Sequence, residues 1–279
     1  MPLSRNDKIK LSLLVALWLA VFSPIVPEMV GEWGSHSDNN HGFLVPLVTL
    51  YFLWHQKGEL SAGEIDCAKW GGVILAASLA IYLVSFAGGA AFPARIAMVA
   101  SLFGLLWFCL GNAWIRVMAF PVLFLLFMVP VPYSVMSLVS MPLQLIATRL
   151  SAWIIQMCAI PVYREGNMLY FVGTQLEVAE ACSGIRSIMS LTMLGSIFAY
   201  LAPVGWQRRA LIVVAAVPIA MTANIIRISG TGILANYFGD RVARGFLHDF
   251  SGLAVFAFGL LMLWMIHLLL TRKVSHDRN

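Results

Sequence analysis

Long apolar runs follow one another along the chain, separated by short polar or charged segments. Several approach or exceed the roughly 18 residues needed to cross ~30 Å of hydrocarbon. Backbone groups in lipid must hydrogen-bond within their own segment, so runs of this kind are helices. The pattern predicts helix one over about Leu11–Pro27, two over Phe43–His55, three over Trp70–Phe86, four over Ala94–Leu110 and five over Trp114–Val129. Helix six follows at about Ser183–Leu201, seven at Ala210–Gly230 and eight at Phe250–Leu270.

Between helices five and six the character changes. Pro130, Pro132 and Pro142 interrupt the region, and Gln144, Thr148, Arg149 and Gln156 dot an otherwise apolar stretch. That reads as a re-entrant or interfacial segment that does not cross. From Asn167 to Val178 apolar and polar residues mix around Gly173-Thr174, read as a turn between two short strands. The expected fold is therefore an all-α polytopic membrane protein of about eight transmembrane helices. It carries one re-entrant or interfacial segment and a short outer hairpin before helix six. No internal repeat is visible.

Composition agrees. Of 279 residues, 60% are hydrophobic and 11% charged, against about 45–50% and about 25% in soluble domains. The net charge of +5 does not point to nucleic acid, because the basic residues gather at helix ends, where they retain those ends in the cytoplasm. Arg5, Lys8 and Lys10, then Arg208 and Arg209, then Arg272, Lys273 and Arg278 all fall on one side if there are eight spans. Both termini are then cytoplasmic, and the segment from Glu28 to His41, with acids and no Lys or Arg, is outside. Arg95, Arg149, Arg164, Arg241 and Arg244 fall on the disfavoured side and need another explanation. The first apolar stretch has a basic start, but Pro27-Glu28-Met29-Val30-Gly31-Glu32 offers no small-x-small cleavage site, so it is kept as a span.

The four cysteines, Cys67, Cys109, Cys158 and Cys182, have neither CxxC nor metal-type spacing. The expected topology still brings chemistry together. Cys182 starts helix six, Arg227 sits near the outer end of helix seven and His248 starts helix eight. A thiol, a guanidinium and an imidazole thus share one depth. A helix N-terminus and a nearby cation favour the nucleophilic thiolate. Arg186 supplies that cation one turn beyond Cys182, while Glu180 opposes it. His248 exchanges protons near neutral pH, and Arg227 suits a developing oxyanion. Asn224, one turn before Arg227, orients it or binds substrate backbone. Each residue also has a plainer reading. Cys182 is a buried small side chain or the partner of Cys158 in a disulfide, Arg227 snorkels, and His41 and His248 are interfacial histidines.

The text Glu180-Ala181-Cys182-Ser183-Gly184-Ile185-Arg186-Ser187, then Asn224-Ile225-Ile226-Arg227, then His248-Asp249-Phe250-Ser251-Gly252 resembles the three signatures of the exosortase/archaeosortase family. His41-Gly42 and Gly166-Asn167 resemble the family as well. The similarity is strongest from about Pro130 to Gly252. It implies one transmembrane domain over residues 1–279, with a catalytic core at about 130–252.

The resemblance implies a Cys-Arg-His site in a cysteine transpeptidase of the bacterial inner membrane, its active site facing the periplasm. Its substrates would be exported proteins ending in a Pro-Glu-Pro-type (PEP-CTERM) signal, a transmembrane helix and a basic cluster. His248 at the third position implies the bacterial, exosortase branch. Cys182 would form an acyl-thioester, with Arg227 as proton donor and His248 as transition-state stabiliser. Side-chain chemistry favours the reverse for the last two, since an arginine stays charged at any working pH. Asp249 and His41 join Glu180, Arg186 and Asn224 as supporting or substrate-binding candidates. No cofactor or metal is expected; the partners are tailed substrates and membrane lipids. The competing class is a non-enzymatic transport or assembly protein for exopolysaccharide. Such a protein would place its ionisable groups near the midplane.

Overall fold

The computed structural model describes residues 5–62, 66–178, 185–239 and 246–276, the last helix by its backbone alone at 246–251 and 272–276. The chain divides into two compact units, Met1–Pro132 and Tyr133–Asn279. The described residues make a helical multi-pass membrane protein with one small antiparallel sheet.

The first unit holds α1 (Arg5–Phe22), α2 (Ile25–Ser35), a 3₁₀ segment Ser37–Phe43, α3 (Leu44–His55), α4 (Lys57–Ala62), α5 (Lys69–Ala87), α6 (Ala91–Phe124) and a second 3₁₀ turn, Leu125–Met128. The segment expected as an outer loop from Glu28 to His41 is instead mostly helix. Met29 and Trp33 are buried, one helical turn apart, as on one face of a helix.

Helices four and five of the sequence reading are the two limbs of α6. At Gly111 the backbone adopts φ 85° and ψ −172°, which ends the helical run. A helix continued straight through would carry Met128 about 50 Å from Arg95. Yet Glu32 bonds Arg95 at 2.6 and 2.9 Å while its neighbour Trp33 donates from Nε1 to Met128 O at 2.8 Å. Two adjacent side chains cannot bridge such a distance, so the chain reverses at Gly111. A Cβ at Gly111 would overlap the Asp66 backbone, so the reversal needs glycine for space as well as for φ.

This reversal sorts the ends of the unit. Leu11 and Leu53 pack with Leu106, Leu110 and Trp114 at one end. That end also carries Lys57, Lys69 and Arg116. At the opposite end Tyr82 donates to Val21 O, His41 Nε2 bonds Phe127 O at 3.0 Å, and Arg95 meets Glu32. Five apolar helical segments thus alternate in direction.

Arg95, unexplained by the charge pattern, is 4% exposed and held by both carboxylate oxygens of Glu32, with Glu28 at 3.9 Å. Losing one partner of a fully buried pair costs roughly 3–5 kcal/mol. The Glu32 side chain is 39% exposed, so water takes up part of this. Glu32→Gln is expected to cost about 2 kcal/mol, read as a lower thermal midpoint in detergent. Adding Arg95→Met should recover most of it; an unchanged midpoint in the single variant would show the pair to be neutral.

The second unit opens with α7 (Tyr133–Met157). Here the expectation of a segment broken by prolines is corrected. Pro130 and Pro132 lie in the connector, and Pro142 sits inside one continuous helix of 25 residues, with the length and mean hydropathy (1.4) of a crossing helix. The three strands β1 (Val162–Glu165), β2 (Met168–Phe171) and β3 (Thr174–Glu177) follow in the order β1-β2-β3. The β2–β3 turn is Val172-Gly173, one residue earlier than expected, and a further hairpin precedes it. Then come α8 (Ile185–Leu201), α9 (Trp206–Phe238) and α10 (Phe246–His276).

The apolar runs of the sequence reading correspond to α1, α3, α5, both limbs of α6, α8, α9 and α10, and α7 is a further apolar helix; among the described residues α5, α6, α7, α9 and α10 are long and apolar enough to cross, with the bent pair α1–α2 as a sixth. Only some pass a length test. α3 has 12 residues and α8 has 17, short of a full crossing for a straight untilted helix. Apolar outer faces of α5, α7 and α10 are open, as suits contact with lipid: Val84 is 76% exposed, Leu138 75% and Leu253 68%.

Candidate active site

Three helices of the second unit carry the candidate residues. α8, α9 and α10 share a core of Leu191, Ala199, Ile212, Ala216, Ala220 and Leu263. At one end Arg209 donates to Ala202 O, at 3.0 Å from Nη2, and Arg208 donates to Leu270 O at 3.3 Å. The Ala202 carbonyl lies just past the end of α8, where cations are favoured. Counting back from this end at 1.5 Å per residue, Ile185 lies about 25 Å away along α8, Arg227 about 28 Å along α9 and Gly252 about 27 Å along α10. The three positions therefore share a level at the far end. A direct contact agrees, since a Cβ on Gly252 would lie 4.0 Å from Arg227 Nη1.

The sheet reaches the same level. Its inner face, with Leu169, Phe171 and Leu176, packs on Ile155 of α7 and on Ile225, Ile228 and Ile233 of α9. Gly232 permits this approach: a Cβ there would meet Ile155 Cδ1 at 2.8 Å and Phe171 Cζ at 3.1 Å. Ser151 adds a hydrogen bond to Ile225 O at 3.3 Å. Val178, 1% exposed, belongs to the same cluster as Ile228, the residue after Arg227. It is pinned to Asn167 twice, by its own N–H to Asn167 O at 2.9 Å and by Asn167 Nδ2 to its carbonyl at 3.3 Å.

Each candidate can now be located. Cys182 and Glu180 lie outside the described residues. The flanks of their segment are described: Val178 on one side and Ile185, the first residue of α8, on the other. Arg227 is half-buried on α9, and Asn224, one turn before it, is 1% exposed. Arg186 is exposed in the first turn of α8. His248 and Asp249 fall in the first turn of α10, one turn before Gly252, where the backbone alone is described. His41 belongs to the first unit, where its ring bonds Phe127 O. Cys158, the rival disulfide partner, is an exposed free thiol two residues before Ile160 in the turn after α7.

The arrangement brings one arginine, the start of a helix and a sheet-anchored strand end to a single level, with a histidine position one turn away. Among the described residues no group of three or more His, Cys, Asp or Glu could hold a metal ion. Sequence reading did not single out Asn167 as the clamp on Val178. Its place in a Gly166-Asn167 turn pair was the available signal.

A family model described as "Transmembrane exosortase" matches residues 33–265 of the chain. No curated protein and no solved structure matches it.

Proposed function

This chain belongs to the transmembrane exosortase family, a family of membrane transpeptidases or proteases acting on proteins with sorting signals, and we propose that it works as a cysteine transpeptidase with Cys182 as nucleophile. The observation that carries the reading is the common level of Ile185, Arg227 and Gly252, with Val178 in the same apolar cluster as Ile228. Of the flanks of the Cys182 segment, Val178 shares a cluster with the residue after Arg227 and Ile185 lies at the level of Arg227, and His248 lies one turn from Gly252.

In the proposed reaction the substrate is an exported protein with a PEP-CTERM-type tail. Its transmembrane helix docks beside the protein and presents a carbonyl at the membrane boundary. His248 takes the proton from the Cys182 thiol, and the sulfur attacks the carbonyl carbon. Arg227 holds the oxyanion, with Asn224 placing the guanidinium. The C–N bond breaks, and His248 returns the proton to the leaving amine. An acceptor amine or water then attacks the thioester, its proton passing to His248 and from there to the departing sulfur, which regenerates the Cys182 thiol. Splitting acyl transfer into two steps is what the covalent intermediate achieves. Arg186 supports the thiolate, while Glu180 and Asp249 shape the charge around it. The acceptor we propose is a component of the envelope or of an exopolysaccharide. No metal or organic cofactor enters.

We also propose the bacterial inner membrane as the site of action, with both termini in the cytoplasm and the Cys182 level facing the periplasm. In the first unit the end with Lys57, Lys69 and Arg116 would be cytoplasmic, and Glu32 would neutralise Arg95 at the outer end.

The test is chemical trapping. Purified protein is mixed with a tailed substrate and quenched in acid, and the peptide containing Cys182 is weighed by mass spectrometry. The expected result is a mass increase equal to the substrate's N-terminal part, removed by hydroxylamine. Cleavage without any adduct on Cys182 would rule out the thioester route. Absence of both cleavage and adduct would favour the transport or assembly class.

A further inference from the structure

The hydrogen-bond register of the small sheet leaves one of its edges open beside the candidate site. Val178 N–H bonds Asn167 O, and the β2–β3 pairs run Met168↔Glu177, Leu169↔Leu176, Tyr170↔Gln175 and Phe171↔Thr174. In an antiparallel pair, residues alternate between exchanging bonds with the partner strand and facing away from it. With Val178 bonded inward, Leu176 and Thr174 also bond inward, and Gln175 and Glu177 turn their backbone N–H and C=O outward. The same alternation on the far side turns Val162 outward, and there Gln156 of α7 donates to Val162 O at 3.0 Å. α7 thus takes up part of the β1 edge, at Val162. Among the described residues none hydrogen-bonds the backbone of Gln175 or Glu177 on the β3 edge, and both residues are exposed.

An edge with unpaired backbone groups is a template for another strand. Resting on the cysteine transpeptidase reading, we propose that β3 receives an extended segment of the substrate polypeptide as a fourth strand, recognised through the backbone of Gln175 and Glu177. The occupant is a peptide, and not a second copy of the sheet, because of where the edge leads. β3 runs directly into Val178, four residues before Cys182, and the sheet is seated on the same stretch of α9 that carries Arg227. A chain paired along β3 is held extended next to the thiol segment. An extended conformation exposes the carbonyl that a helical tail keeps in its own ladder. Main-chain pairing also suits a protein that processes many different tailed substrates, since it reads backbone and little side chain.

Proline gives a selective test. At Gln175 or Glu177 it removes an outward N–H and leaves the β2–β3 ladder intact, as edge positions tolerate. Gln175→Pro and Glu177→Pro are expected to raise KM for a tailed substrate five- to tenfold at unchanged kcat, about the worth of one hydrogen bond. Gln175→Ala and Glu177→Ala should stay within twofold. Iodoacetamide labelling of Cys182 should be unchanged in all four.

The second measurement does not depend on the variants folding. A synthetic peptide spanning the cleaved bond, as mapped from the product, carries a single N-methyl group at each position in turn. Wild-type protein should show impaired turnover at every second position. Sensitivity without that period, together with unaltered KM in the proline variants, overturns the edge-strand proposal. If the peptide forms its Cys182 adduct in the same experiment, the transpeptidase reading stands while this one falls. Without an adduct on any peptide, both fall.

Discussion

Cys182→Ala abolishes conversion of a co-expressed tailed substrate to its shortened form, while the variant still inserts and accumulates. The expected loss is at least about 10³-fold, because removing a nucleophile costs nearly the whole of the covalent route. Cys182→Ser keeps at most a trace, since a hydroxyl in the same place lacks the accessible anion that makes a thiolate reactive. The α8–α9–α10 core begins at Ile188, beyond the substituted position, so folding should be spared. Abundance in the membrane fraction is the control. Unaltered processing in Cys182→Ala would make the residue structural and bring the exopolysaccharide transport or assembly class forward.

Replacing Arg227 comes next in size. Arg227→Gln is expected to lower kcat by about 10²–10³, the usual cost of an oxyanion donor, with KM within a few-fold. Arg227→Lys should restore little, because an ammonium does not reproduce the planar fork of the guanidinium. The pH profile separates the two candidate roles. If Arg227 stabilises the oxyanion and His248 moves the proton, Arg227→Gln keeps the limb of the profile near neutral pH while His248→Gln loses it. The opposite outcome would restore the assignment with Arg227 as proton donor. A drop in abundance alongside kcat would instead point to packing, for which the buried Asn224 beside it gives reason.

Much of the fold was legible because lipid allows few alternatives. Runs such as Trp70–Phe86 and Phe250–Leu270 had to be helices, and they lie within Lys69–Ala87 and Phe246–His276. The break between helices four and five was visible at Gly111-Asn112, and glycine there carries the reversal. Errors arose where composition is ambiguous between environments. Glu28 to His41 is polar enough for a loop, yet Met29 and Trp33 give it a buried face that only neighbouring helices reveal. The polar residues of α7 suggested interruption. Gln144, Thr148 and Ser151 are in fact buried on its packed side, with Ser151 bonded to α9. Arg95 stood out as a charge on the wrong side, and nothing local could name Glu32, 63 positions earlier, as its partner.

For the candidate site, the sequence by itself determined which residue types stood near helix ends, and their motifs carried the family. Those are local properties: hydropathy sets the span, and position within the span sets depth. Only the tertiary structure decided that Arg227 and Gly252 lie side by side at that depth, with Ile185 at the same level, because neighbours around an axis depend on which helix faces interlock. It alone decided which edge of the sheet is open as well. Strand register turns every second backbone group outward, and the α7 side chain that bonds Val162 on the β1 edge comes from a packing contact that local pattern does not encode.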